Sequence, residues 1–219
     1  MNYSKYDAVV FDCDGVMFDT TKANTAYYNH ILEHFGKPGM TPDQFAYTHM
    51  HTVDESLAHL FNDETERAAA FAFRSQMSYL PFLQFMKIEP DLISLLAFLR
   101  PEVRTAIATN RSDTMQRVLH SNGLTDAFDL VVTALDVVKP KPYPDQLNKI
   151  LSYFKLKPEQ AVYIGDSELD AAAAGAAGMP FAAFANRKLD AQYHISRLRQ
   201  VKDILDGTVT GSSCRRQAE

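Results

Sequence analysis

Ala8-Val9-Val10-Phe11-Asp12-Cys13-Asp14-Gly15 is a short apolar run that stops abruptly at two acids and a glycine. Continuous apolar runs of this length, without alternation, belong to strands buried on both faces. Two other runs have the same form. Thr105-Ala106-Ile107-Ala108 leads into Thr109-Asn110, and Ala161-Val162-Tyr163-Ile164 leads into Gly165-Asp166-Ser167-Glu168-Leu169-Asp170. A looser run over residues 130–138 leads to Lys139-Pro140. Stretches with helical spacing separate them. Strand, helix and strand repeated in this way predict an α/β fold with a doubly wound parallel sheet, helices covering both faces. Ligand crevices in such sheets lie at the carboxyl ends of the strands, which is where the polar motifs fall.

Residues 18–86 break this pattern, because they contain no clear strand run. The spacing predicts a helix over residues 21–35, stopped by Gly36 with Pro38 just beyond. Thr41-Pro42-Asp43 is a helix start, with the hydroxyl as N-cap and proline at the first helical position. A third helix is expected over residues 54–61, and a long one over 64–86 that Pro81 kinks or splits. The expected organisation is therefore a core of residues 1–17 and 87–206, a small all-helical insert of residues 18–86, and a tail of residues 207–219. The Gly-Ser-Ser and Arg-Arg of that tail suit disorder.

Composition excludes several classes. The 219 residues are 46% hydrophobic, ordinary for a globular protein. A net charge of −5 argues against a basic nucleic-acid face. No apolar run approaches the roughly 20 residues that span a bilayer. The N-terminus leads directly into a strand, so no signal peptide is expected. Of the two cysteines, Cys13 lies inside the first motif and Cys214 in the tail, which suits a reducing, cytoplasmic setting rather than a disulfide framework.

Three acids, a hydroxyl and a lysine at one sheet edge suit attack by a carboxylate on a phosphoryl group, assisted by Mg²⁺. The motifs Asp12-x-Asp14-Gly15-Val16, Thr109-Asn110, Lys139-Pro140-x-Pro142 and Gly165-Asp166-x-x-x-Asp170 match, in order and spacing, those of the haloacid dehalogenase-like (HAD) hydrolase superfamily. The chain resembles its phosphoglycolate-phosphatase-like branch over residues 5–206. The resemblance implies a Rossmann-like core with a helical cap inserted after the first strand. It makes Asp12 the nucleophile that forms an aspartyl-phosphate, and Asp14 the general acid and base. Asp14 would need a raised pKa, which a neighbouring carboxylate and partial burial would supply.

Mg²⁺ would be held by Asp12, Asp166 and the backbone carbonyl of Asp14, a hard oxygen set. Thr109 and the N–H of Asn110 would bind phosphoryl oxygens, near a helix expected to start at Ser112-Asp113. Lys139 is taken as the bridging lysine rather than Lys141, because it precedes the first proline of the motif. Arg111 either reaches the phosphate or solvates the rim. Asp170 either orients the lysine or a metal-bound water, or serves as an acid at a helix start. Residues 49–53 would form the substrate-contacting cap loop, with His51 and Thr52 as contacts. The implied activity is hydrolysis of a small phosphorylated metabolite, phosphoglycolate-like or a sugar phosphate. A phosphosugar mutase and a non-catalytic phosphate-binding regulator are the alternatives. Val53, where related sugar-phosphate mutases carry an arginine, weighs against the mutase. Neither nucleic acid nor membrane is expected as a partner, and the motifs do not encode oligomeric state.

Overall fold

The structure is a computed structural model, and it describes residues 5–208. Cys214 and most of the expected tail lie outside the described residues. In chain order, β1 (Ala8–Phe11) and β2 (Phe18–Asp19) are followed by α1 (Thr21–His34), α2 (Pro42–Met50), α3 (Val53–Leu60), α4 (Glu64–Gln76) and α5 (Leu80–Leu83). Then come β3 (Lys87–Ile88), α6 (Leu92–Leu99), β4 (Arg104–Ala108), α7 (Met115–Ser121) and β5 (Leu130–Val132). The chain closes with α8 (Asp145–Phe154), β6 (Ala161–Gly165), α9 (Glu168–Ala177), β7 (Phe181–Phe184), β8 (Tyr193–Ile195) and α10 (Val201–Leu205).

Six strands form one sheet in the order β5-β4-β1-β6-β7-β8, and every pairing in it is parallel. The alternation of side chains across a strand divides the sheet between two cores. Val9, Phe11, Ile107, Val162 and Ile164 point into one, which α6, α7 and α10 cover. Ala8, Val10, Ala106, Ala108 and Tyr163 point into the other, which α8 and α9 cover. Burial on both faces is why β1, β4 and β6 read as unbroken apolar runs. Alanine on the second face lets α9, itself rich in alanine, approach closely.

The chain leaves the sheet through β2 and returns through β3, and these two pair antiparallel as a small ribbon. The five helices between them have their own apolar centre, built from residues such as Tyr28, Ile31, Leu57 and Phe61. Thr41, Thr52 and Asp63 cap the starts of α2, α3 and α4 with their side chains. The helix expected over residues 64–86 is two helices. The chain turns extended at Met77, and Pro81 falls in the first turn of α5, where its missing N–H costs no hydrogen bond.

The looser strand expected over residues 130–138 ends at Val132. Thr133 closes a capping box with Asp136 and turns the chain into a short 3-10 segment. Val138 and Lys139 are then exposed. Among the described residues, no helix is long and apolar enough to cross a membrane.

Ile31 is fully buried at the centre of the helical insert. Ile31→Ala should lower the unfolding free energy by about 2–5 kcal/mol, read as a shift of the urea midpoint.

Candidate active site

The register of the central strands assembles the site. Phe11 stands level with Ile107 on one side and Ile164 on the other. Continuing that register, Asp12 stands level with Ala108 and Gly165, and Thr109 and Asp166 follow one residue further on. Gly15 lets the first loop close over the third: its φ is +82°, and a Cβ there would lie 2.1 Å from Asp166 Oδ2. The N–H groups of Cys13, Asp14 and Asn110 have no acceptor among the described residues. The Thr109 hydroxyl accepts from the Arg111 N–H at 3.1 Å and keeps its own hydrogen free. This cluster of donors around Asp12 suits an anion.

The lysine that reaches the site is Lys141, not Lys139. Lys141 is buried, with Nζ 2.8 Å from Asp12 Oδ1 and 2.6 Å from Asp170 Oδ1. Lys139 is exposed and lies over the Tyr143 ring, 4.9 Å from its centroid. The early end of β5 sets the difference, because the chain runs outside the core until Lys141. There Asn110 takes hold: Oδ1 accepts from the Lys141 N–H at 3.1 Å, and Nδ2 donates to its carbonyl at 3.0 Å. Gln146 adds a bond to the same N–H and donates to the Thr109 carbonyl at 2.7 Å. The sequence did carry a signal. Lys-Pro-x-Pro occurs twice, offset by two residues, and only Lys141-Pro142-Tyr143-Pro144 runs straight into the acid that opens α8.

Asp170 caps its helix, and the lysine it holds is Lys141 rather than the expected Lys139. Oδ2 accepts from the Ser167 hydroxyl and N–H, completing the capping box of α9. Oδ1 accepts from Lys141 Nζ and from the Tyr163 hydroxyl, both at 2.6 Å. Tyr163 in turn accepts from Lys141 Nζ at 3.0 Å. With Lys141 and these hydroxyls beside it, Asp170 is held below the usual carboxylate range in spite of full burial.

Asp14 departs from expectation in its charge. Burial pushes its carboxyl up, but the Arg111 guanidinium outweighs burial and holds the group at about 2. Arg111 neither points at the rim nor stands in solvent. Nη2 donates to Asp14 Oδ1 at 2.6 Å and Nε to Oδ2 at 3.0 Å, a bidentate pair whose side chains are only 6% and 13% exposed. Arg111 also packs on the Tyr79 ring from the helical insert, 4.9 Å from its centroid. It donates to the Thr114 hydroxyl as well, and α7 starts only at Met115.

These groups wall a cavity of about 70 Å³ between sheet edge and insert, with Asp12, Asp14, Lys141 and Asp166 on one side and His49, Arg74 and Tyr79 on the other. His51 also lines it, its ring stacked on Tyr47 at 3.8 Å. Thr52 is not among the lining residues: its hydroxyl is committed to the capping box of α3, donating to Glu55 and accepting from the Glu55 N–H. Arg74 and Tyr79, from the insert, carry no motif that sequence reasoning recognises. Polar contacts among the described residues link insert and core around the cavity. Arg74 pairs with Asp113 at 2.5 Å, Arg111 Nη2 donates to the Tyr79 hydroxyl at 3.4 Å, and Asn110 Nδ2 to the Met50 carbonyl at 3.3 Å.

The donor set fits a divalent cation. Oxygens of Asp12, Asp166 and Asp170 lie within 4.8 Å of one another. Asp170 is saturated by the bonds above, which leaves Asp12 and Asp166. Asp12 Oδ1 is buried without an aligned hydrogen-bond donor, although the Lys141 charge is close. Burial, with the neighbouring acids adding, pushes Asp12 up to about 7 against the pull of Lys141. Burial and the charges of Asp170 and Asp12 push Asp166 up to about 8. The Asp14 carbonyl has no donor among the described residues. A buried and a half-buried carboxylate short of positive charge, beside a free carbonyl, are hard oxygen ligands of the kind Mg²⁺ takes.

An α/β core with this acid, lysine and hydroxyl set at its strand ends defines a hydrolase of one particular design. The family profile described as haloacid dehalogenase-like hydrolase matches residues 9–184. The chain belongs to that family, in its phosphoglycolate-phosphatase-like branch. A crystal structure of a HAD-superfamily hydrolase, subfamily IA, variant 1, from Geobacter sulfurreducens superposes with a TM-score of 0.77 at 36% identity, covering 93% of this chain and 98% of that one. A phosphoglycolate phosphatase from Rhodobacter capsulatus is 29% identical over 93% of this chain and 97% of its own length. The pyrophosphatase PpaX of Bacillus pumilus is 27% identical over 81% and 82% respectively.

Tyr163→Phe removes one hydroxyl partner from both Lys141 and Asp170 while keeping the ring that packs in the core. It should cost about 1–3 kcal/mol, measured by denaturant unfolding.

Proposed function

We propose that this chain is a phosphatase that hydrolyses a small phosphorylated metabolite by way of a phosphorylated Asp12. The observation that carries the reading is the buried Lys141 ammonium, fixed 2.8 Å from Asp12 and 2.6 Å from Asp170 beside a second pair of acids. Such an arrangement supports attack by one defined carboxylate on a crowded anion. Asp12 attacks phosphorus, and the bond from phosphorus to the ester oxygen breaks. Lys141, the Thr109 hydroxyl and the free N–H groups of Cys13, Asp14 and Asn110 receive the phosphoryl oxygens, offsetting charge as it concentrates. Asp14, after taking up a proton from solvent, passes it to the departing oxygen and later takes one from the water that splits the aspartyl-phosphate. Because Arg111 holds it ionised, Asp14 acts as acid only once the guanidinium shares its hydrogen bonds with an incoming group.

Mg²⁺, held by Asp12, Asp166 and the Asp14 carbonyl, would neutralise phosphoryl charge during both steps. The helical insert would serve as a cap, with residues 49–53 at the edge of the cavity. The relatives named phosphoglycolate phosphatase and pyrophosphatase support small phosphorylated substrates. The cavity does too: about 70 Å³ is room for roughly five water-sized centres at ~10–15 Å³ each.

Release of inorganic phosphate from small phosphate esters tests the reading. Wild type with Mg²⁺ should turn over, and thorough chelation should abolish activity. Asp12→Asn should lower kcat by roughly 10⁴-fold or more, as loss of a nucleophile does. Residual activity near the wild-type level in Asp12→Asn would rule out the covalent route.

The two lysines give a sharper contrast. Lys141→Met should lower kcat/KM by roughly 10²–10³-fold. Lys139→Met should leave activity near wild type and stability within about 0.5 kcal/mol. The reverse ranking would overturn the placement of Lys141.

A further inference from the structure

Two residues at the start of α1 break local rules. Thr20 stands at the N-cap of that helix, yet its side chain makes no capping bond. A threonine there ordinarily accepts from the first N–H groups of its own helix. Asn24, in the first turn, is buried, although asparagine is among the poorer helix formers and a buried amide is costly unless it is hydrogen-bonded. Neither choice serves the helix. Local rules broken without a local gain mark positions used for something else.

Both side chains are spent on a ring of polar groups that begins and ends at Asp14. Asn24 Nδ2 donates to the Thr20 hydroxyl oxygen at 3.3 Å. This leaves the Thr20 hydrogen for Asp14, and that hydroxyl is among the groups favouring the ionised Asp14 carboxyl. On the other side, Asn24 Oδ1 accepts from the Tyr79 hydroxyl at 3.1 Å. The Tyr79 oxygen accepts from Arg111 Nη2 at 3.4 Å, and the same nitrogen donates to Asp14 Oδ1 at 2.6 Å. Asn24 Nδ2 also meets His49 Nδ1 at 3.4 Å, which ties in the end of α2. Thr20, Asn24 and Tyr79 are all buried, so displacing one leaves the next without a partner in a dry setting.

We infer that Asn24 is a positioning residue for Asp14: it locks Thr20 on one side and, through Tyr79, the Arg111 fork on the other, so that the carboxyl meets the departing oxygen in one orientation. This rests on the phosphatase reading above. A merely structural Asn24 would support every substrate alike. A positioning one matters most where the departing oxygen needs a proton.

The test compares kcat/KM, with Mg²⁺, for acetyl phosphate and for two alkyl esters, ethyl phosphate and phosphoglycolate. An alkoxide must be protonated as it leaves, and acetate need not be. In Asn24→Ala the alkyl-to-acetyl ratio should fall by roughly 10–10²-fold, the scale of a misplaced catalytic group. Thr20→Val and Tyr79→Phe each remove one hydroxyl from the ring and should lower the ratio by roughly threefold to tenfold, the worth of one hydrogen bond. Thr20→Ser, which keeps the hydroxyl, should hold the wild-type ratio. Loss of active protein scales both rates together, so it does not move the ratio. If Asn24→Ala does not fold, the two hydroxyl variants decide. A ratio within about twofold of wild type, or above it, in every variant that folds overturns the inference while leaving the phosphatase reading intact. Hydrolysis of neither alkyl ester by wild type overturns that reading, and this inference with it.

Discussion

The rest of the site depends on one buried ammonium. Lys141 Nζ lies between Asp12 and Asp170 with almost no access to solvent. A charge taken out of water is tolerated only when it is paired and hydrogen-bonded on every side. The Tyr163 hydroxyl accepts the remaining bond of the ammonium, while Asn110 and Gln146 hold the Lys141 backbone in place. Asp170 transmits the constraint further, because its other oxygen caps α9 and so fixes the loop that carries Asp166. Moving any one of these groups leaves another charge or dipole buried without a partner.

A second buried pair, Arg111 with Asp14, stands beside the first and has a different effect. Lys141 leaves Asp12 short of compensation, pushed up by burial and by neighbouring acids. Arg111 overcompensates Asp14. Two carboxylates two residues apart on one loop thus have opposite electrostatic settings. That is the condition under which similar groups take different chemical roles. The cation count also falls short of the acids around Asp12 and Asp166, which is the physical reason the donor set suits a divalent ion.

The helical insert joins this network through polar contacts at the cavity, and Leu83 and Met86 pack against both its own hydrophobic centre and the core of the sheet. Tyr79, Arg74 and the Met50 carbonyl meet Arg111, Asp113 and Asn110 at the cavity. Polar contacts of this kind make and break at small net cost.

The sequence by itself determined the parallel sheet, the helical insert and the acids at the strand ends. Local patterns carry that information: unbroken apolar runs for strands buried on both faces, caps and glycines for helix ends, and motifs that fall where strands stop. The register of β1 with β4 and β6 then placed Asp12, Thr109 and Asp166 together as the pattern implied. Only the tertiary structure decided between Lys139 and Lys141. A two-residue offset in an irregular loop reverses which side chain faces inward, and the deciding contacts come from Asn110 and Gln146, some 31 and 5 residues away. The same holds for Arg111, whose partner Asp14 lies 97 residues earlier in the chain. Thr52 is different, because its hydroxyl is consumed by a capping box with Glu55 three residues on, a local pattern. Burial and long-range pairing set charge states and inward orientation, and neither has a period that a sequence can display.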